Sequence, residues 1–220
     1  NKVKLLDATW HLPNSDRNAF QEYENGHIEN SIFFDLDKNS NQNVSLPHML
    51  PKKDEWEKIV SSLGIKNSDH IVIYDNSDVL SASRCWFSFI YFGHDYNLVS
   101  VLDGGLKKWN LENRTLTSKK KKLTRTNYKA STKNEMVVDF KQIENNIIKK
   151  DFCLVDARGV KRFKGLEEEP RKNLKKGNIK GSKNLPFSKI INPENNTFKK
   201  KEELKKIFLN HDINFNEKLA

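Results

Sequence analysis

The feature that most constrains this chain is a repeat. Leu5-Leu6-Asp7-Ala8 returns as Leu154-Val155-Asp156-Ala157, and Gly26-His27-Ile28-Glu29-Asn30-Ser31 as Gly177-Asn178-Ile179-Lys180-Gly181-Ser182. Trp56, Ile59 and Val60 return as Leu204, Ile207 and Phe208, followed by Gly64-Ile65 and Asp212-Ile213 as turns. The offset stays between 148 and 151 residues across all four elements. One structural unit is thus written twice, and each copy must build its own core.

Each copy alternates short apolar runs with helical patterns. In the first, Val3-Leu6, Ser31-Phe34, Ile71-Tyr74 and Leu98-Leu102 read as strands, while Trp56, Ile59, Val60 and Leu63 form the apolar stripe of an amphipathic helix. Asp54, with Glu57 three residues on, reads as a capping box at the start of that helix. Such alternation predicts an α/β fold of two similar domains, each a parallel sheet with helices on both faces. Residues 1–111 are read as the first domain, 112–135 as a basic linker without periodicity, and 136–220 as the second. Lys218-Leu219-Ala220 reads as the opening of a further strand, so the second domain is read as truncated at Ala220.

The formal net charge of +10 raises nucleic-acid binding. Many lysines neighbour asparagines in loops, however, and the densest run, Lys119 to Lys122, falls in the linker. A solvated surface that favours anionic ligands is therefore the stronger reading, and nucleic acid is not an expected partner. No stretch approaches the roughly 20 apolar residues of a membrane span, and no signal-like segment opens the chain, so a cytoplasmic location and no membrane partner are expected. Cys85 and Cys153, the two cysteines, sit among apolar neighbours and read as small buried hydrophobes. No Cys or His pair has zinc-site spacing; no metal and no cofactor are expected.

The motifs, in order, resemble the tandem rhodanese family. They are Leu6-Asp7-Ala8-Thr9-Trp10, GHIENSIFFDLD (26–37), Leu46-Pro47-His48-Met49-Leu50-Pro51, Ile73-Tyr74-Asp75, Phe92-Gly93-His94, LDGGLKKW (102–109), VDARGVKRF (155–163), Glu169-Pro170-Arg171 and GNIKGSKNLPF (177–187). The resemblance implies two rhodanese-like domains, the first non-catalytic and the second bearing a cysteine at the start of its active-site loop. That cysteine would be a thiolate that carries sulfur as a persulfide from 3-mercaptopyruvate or thiosulfate to a thiol or cyanide acceptor, a thioredoxin-like protein among the candidates. Independently, the repeat places the counterpart of Asp75 three positions beyond Ala220. The family's cysteine falls at the same position.

Arg162 and Arg171 match the family's substrate-binding arginines, and a planar guanidinium suits a carboxylate. Each also reads as a surface arginine, Arg171 in particular beside Lys172, Lys175 and Lys176. The Glu169-Pro170-Arg171 triplet resembles the mercaptopyruvate-using branch of the family. Asp37 and His48 match an aspartate and a histidine that act with a serine of the active-site loop, and such a His can move a proton near neutral pH. His48 reads equally well as packing in its own turn. His27, Asp156, Arg158 and Arg84 read as structural. Asn178 departs from the family's usual His. The competing function is a catalytically silent rhodanese-like binding or regulatory module, since Asp75 cannot act as a sulfur nucleophile.

Overall fold

The computed structural model describes residues 2–171 and 174–220, so Asn1, Lys172 and Asn173 lie outside it. The chain forms two compact units, Asn1–Asn134 and Glu135–Ala220.

In the first unit, β1 (Val3–Asp7), β2 (Ser31–Phe33), β3 (His70–Tyr74) and β4 (Val99–Val101) form one sheet in the order β2-β1-β3-β4. Every pair is parallel, with Leu6 opposite both Ile32 and Ile73. Helices α1 (Ala19–Asn25), α2 (Lys53–Ser62), α3 (Ala82–Tyr91) and α4 (Gly105–Leu111) fill the crossovers and follow β4. Side chains alternate between the faces of a strand, and both faces of β3 are covered. Ile71 and Ile73 are wholly buried on one; Tyr74, on the other, joins Ile28 and Leu106, with Leu5, Leu102 and Trp109 against them. An aromatic cluster binds α2 to α3: Trp56 stacks on Phe92 with centroids 4.7 Å apart and meets Phe89 edge-on at 5.0 Å.

The start of α2 differs from the sequence expectation. The helix begins at Lys53, and the Glu55 carboxylate, not Glu57, accepts the hydrogen bond from the cap, Lys52 N–H, at 2.9 Å. Lys52 is extended, so the first free N–H groups come before Asp54. Glu57 instead accepts from Ala130 N–H at 2.9 Å. The stretch read as a linker is consequently a strap across the first unit. Thr117 exchanges both backbone bonds with His27, Thr126 N–H reaches Ser61 O, and Ser131 N–H reaches Phe92 O. Tyr128 is 1% exposed and stacks on His94 at 5.7 Å. His94 Nε2–H donates to Asp69 O at 3.0 Å, which leaves Nδ1 to accept from the Tyr128 hydroxyl at 3.2 Å. Burial lowers the His94 pKa and favours this neutral form.

The second unit contains α5 (Phe140–Lys149), β5 (Val155–Asp156), α6 (Val160–Phe163), β6 (Lys183–Asn184) and α7 (Lys201–Asn210). Asp139 caps α5, accepting from Gln142 N–H while its own N–H donates to the Gln142 side chain. Strands β5 and β6 pair in parallel, Val155 with Lys183 and Asp156 with Asn184. Cys153 pairs in parallel with Leu219, joined by Cys153 N–H to Lys218 O and Val155 N–H to Ala220 O, both 2.8 Å. These partners repeat the pairings Leu6–Ile32, Asp7–Phe33 and Lys4–Ile71 of the first unit. None of the described helices is long and apolar enough to cross a membrane.

Tyr128 tests the strap. Tyr128→Ala should destabilise the protein by about 3 kcal/mol in urea unfolding, as for a large core side chain. A change within about 0.5 kcal/mol, typical of a solvated position, would show that the strap does not contribute to the fold.

Candidate functional site

In the first unit the chain runs from β1 to its neighbour β2 and then returns on the other side of β1 as β3. The segments that leave the carboxyl ends of β1 and β3 therefore part to opposite directions, and the crevice between them is where ligands collect in open parallel sheets. Here it is closed by hydrogen bonds. Ser77 Oγ donates to Trp10 O at 2.5 Å, Ser81 Oγ to Ala8 O at 2.7 Å, and Asn76 N–H to Thr9 Oγ1 at 2.9 Å. Asp75, where the repeat predicts the counterpart of a nucleophile, lies buried in this crevice. Its carboxylate accepts from Ala82 N–H at 2.6 Å, in the first turn of α3. Burial pushes its pKa up to about 6, against those hydrogen bonds, and buried Asp7 adds a smaller push in the same direction. A carboxylate thus fills the position and satisfies the loop's donors internally.

Asp37 and His48 meet. His48 Nε2 lies 2.7 Å from Asp37 Oδ1, and Trp10 Nε1–H donates to Asp37 Oδ2 at 2.9 Å. The Trp10 and His48 rings pack edge to face, 4.8 Å between centroids. With one carboxylate oxygen on each ring, Asp37 fixes the imidazole's direction while remaining two-thirds exposed itself. His48 holds a left-handed backbone, φ 56°, costly for a residue with a Cβ. The half-buried Arg84 guanidinium on α3 donates to its carbonyl and so secures that strained turn. The His48 ring is thus both paired with Asp37 and packed against Trp10. Trp10 was missed as a site residue; its only signal was its place in the Leu6-Asp7-Ala8-Thr9-Trp10 motif. Arg84 has no carboxylate partner among the described residues, and burial lowers its pKa.

In the second unit the cations are tied to anions. Arg158 donates from Nε and Nη2 to Asp156, with Nη2 to Oδ2 at 2.6 Å, and from Nη1 to Glu169 Oε1 at 2.7 Å. Burial pushes the Asp156 carboxyl up, but the Arg158 hydrogen bonds outweigh it and hold it below the usual range. Arg162 donates to the other oxygen of Glu169, from Nε at 3.2 Å and from Nη2. The Glu169 side chain is 3% exposed, and its pKa is lowered first by the Arg162 hydrogen bond and then by the charges of both arginines. Arg162 is thus held in a neutral network of two arginines and two carboxylates. In sequence Glu169 shows only as part of a motif, and its enclosed carboxylate is the feature that sequence reasoning does not reach here. Arg171 follows Glu169 by two residues and is partly buried. Asn178 donates from Nδ2 to Phe163 O at 3.0 Å, at the end of α6. His27, wholly buried, donates from Nδ1 to Tyr23 O at 2.7 Å on α1. The two turns therefore keep one hydrogen bond in kind despite the Asn-for-His difference.

Cys85 is wholly buried and burial raises its thiol pKa far above normal, which suits packing and opposes nucleophilic use. Cys153 is partly buried in its pairing with Leu219. Among the described residues, no three His, Cys, Asp or Glu side chains converge as a metal site would need.

Residues 2–112 match the family model of the rhodanese-like domain. The chain belongs to the rhodanese family. Over 99% of its length it is 35% identical to human 3-mercaptopyruvate sulfurtransferase, of which it spans 73%. It is also 35% identical, over 98% of its length, to the mitochondrial thiosulfate/3-mercaptopyruvate sulfurtransferase 1 of Arabidopsis thaliana, and spans 62% of that relative. Among solved structures it is similar to the 3-mercaptopyruvate sulfotransferase SseA of Escherichia coli. The TM-score is 0.88 at 29% identity, over 99% of this chain and 80% of that one.

Asp75 carries a testable consequence. Its folded-state pKa of about 6 lies above the ordinary 3.8, so the folded chain holds a proton that the unfolded chain has released between those values. Stability contributed by that proton is present below pH 3.8 and lost as pH rises through 6, a decline of about 3 kcal/mol. Asp75→Asn still offers an oxygen to Ala82 N–H and cannot ionise. Its stability relative to the parent should rise by about that amount between pH 4 and pH 7 in urea midpoints. A difference independent of pH would contradict the buried, titrating carboxyl.

Proposed function

We propose that this chain belongs to a two-domain sulfurtransferase that carries sulfur from 3-mercaptopyruvate, or thiosulfate, through a cysteine persulfide to a thiol or cyanide acceptor. The reading is supported most by one observation. Leu219 stands beside Cys153 in the register that Ile71 keeps with Lys4. If the second unit is a second rhodanese-like domain, the position three residues beyond Ala220 then follows the strand as Asp75 follows β3, and there we place the cysteine. Backbone N–H groups at a helix start would lower its pKa as they now bind the Asp75 carboxylate.

In the proposed reaction the thiolate attacks the thiol sulfur of 3-mercaptopyruvate. The S–S bond forms as the C–S bond breaks, and pyruvate leaves as its enolate with that electron pair. The proton of the donor thiol ends on the enolate carbon. An acceptor thiolate then takes the outer sulfur and regenerates the cysteine. Arg162 and Arg171 are assigned to the donor's carboxylate. For Arg162, whose side chain is 28% exposed, this means exchanging or sharing Glu169. His48, oriented by Asp37, is assigned to the proton.

Three outcomes are expected of the full-length protein. The third residue after Ala220 is cysteine, and the protein releases pyruvate from 3-mercaptopyruvate in the presence of a thiol. Arg162→Ala lowers kcat/KM for that donor by at least about tenfold, roughly 1.4 kcal/mol; a smaller loss would remove it from the clamp. His48→Asn lowers kcat with 3-mercaptopyruvate by about a hundredfold, yet changes thiosulfate turnover little, because thiosulfate brings no proton to move. Equal losses with both donors would reduce His48 to a packing role.

A catalytically silent module is the second reading, and Glu169 is the observation that favours it, since it already occupies Arg162. Another residue at the projected cysteine position would decide for this alternative.

A further inference from the structure

At the amino ends of β1 and β3, away from the crevice beside Asp75, the first unit holds an open cavity of about 570 Å³. Its walls carry six basic side chains: Lys2, Lys4, Lys66, Lys121, Lys122 and Arg125. They come from three separate places in the chain: the start of β1, the turn after α2, and the strap. The lining has one carboxylate, Asp69, and its oxygens are already engaged. Oδ2 accepts Lys66 N–H at 2.9 Å and lies 3.9 Å from Lys4 Nζ, while Oδ1 accepts Lys2 N–H at 3.4 Å.

The cations cannot disperse by moving the backbone that bears them. Gly64 has φ +69°, and a Cβ there would lie 2.7 Å from Thr124 O, so the strap runs directly against the turn. Thr126 N–H to Ser61 O and the Thr126 hydroxyl to Ile65 O pin it on the next residues. Lys4 Nζ donates to Gly64 O at 2.5 Å and Lys121 Nζ to Asn30 O at 3.0 Å. Burial lowers the Lys121 pKa, and the charges of Lys4 and Lys2 lower it further. Like charges so gathered repel one another, and a bound anion would relieve the repulsion. One phosphate would leave most of this volume and most of these cations unused, whereas a compound with two or more phosphates would engage all three walls. Leu63 and Leu123 add an apolar portion.

We propose that this cavity binds a small oligophosphate, either inorganic or the phosphate chain of a nucleotide. The site is independent of sulfur transfer and lies at the end of the first-unit sheet opposite Asp75.

Calorimetric titration of the full-length protein with inorganic pyrophosphate, and separately with ATP, tests the proposal. Saturable binding at one site per chain is expected, weakening as salt is raised from 50 to 200 mM because screening shortens the field (about 8 to 10 Å near 0.1 M). Binding of both probes assigns the site to the phosphate chain, and binding of ATP alone to a nucleotide. The double variant Lys121→Gln, Arg125→Gln should weaken binding by about tenfold or more, equivalent to about 1.4 kcal/mol. Lys141→Gln, on α5 and not among the lining residues, should not. Melting curves matched to the parent would show that the double variant remains folded. No saturable binding of either probe, or equal weakening by Lys141→Gln, would overturn the proposal. So would tight binding of a single-stranded RNA that neither probe displaces.

Discussion

The structure depends on the parallel hydrogen-bond ladder that places β1 between β2 and β3. Parallel strands bring all their carboxyl ends to one edge of the sheet, and they can do so only if each crossover returns over a face. From this follow the burial of both faces, the need for helices there, and the parting of the loops beyond Asp7 and Tyr74. Ala8 N–H bonds Tyr74 O and Phe34 N–H bonds Asp7 O, so the ladder continues into those loops. The crevice is thus a product of strand order.

Charge is handled differently in three places. In the crevice the Asp75 carboxyl is enclosed among hydrogen-bond donors, with buried Asp7 near enough to act on it, and keeps a raised pKa. Around Glu169 two arginines and two carboxylates neutralise one another, and this neutrality makes a half-enclosed Arg162 affordable. At the amino ends of the same first-unit sheet the cations outnumber the one carboxylate. Enclosed charge needs a partner at contact distance, so the first two sites complete themselves internally, and only the third leaves cations in excess.

The strap accounts for much of what sequence reasoning could not see. Residues 113–133 lack periodicity because they form neither helix nor extended strand, yet they bury Tyr128 and accept or donate backbone bonds along α2 and α3. An irregular segment bonded residue by residue leaves no repeating pattern. Glu57 shows the same effect: it reads as part of a helix cap, and tertiary contact gives it to Ala130 instead.

Much of the fold was legible in sequence because it rests on period. Strands and helices reveal themselves through the alternation of apolar residues, and the offset of 148 to 151 residues between similar segments leads to the expectation of a second, similar unit. Asp37, His48, Arg162 and Arg171 were singled out by the family motifs they sit in, and the roles proposed for them suit the chemistry of a guanidinium and an imidazole. What surrounds each one was not. Side chains distant in sequence meet only after the chain folds, so tertiary structure alone set His48 against Asp37 and Trp10, closed the Asp75 crevice, tied Arg162 to Glu169, and drew six cations around one cavity. Sequence determined which elements form, through local periodicity; the long-range packing decided which charges are satisfied and which are not.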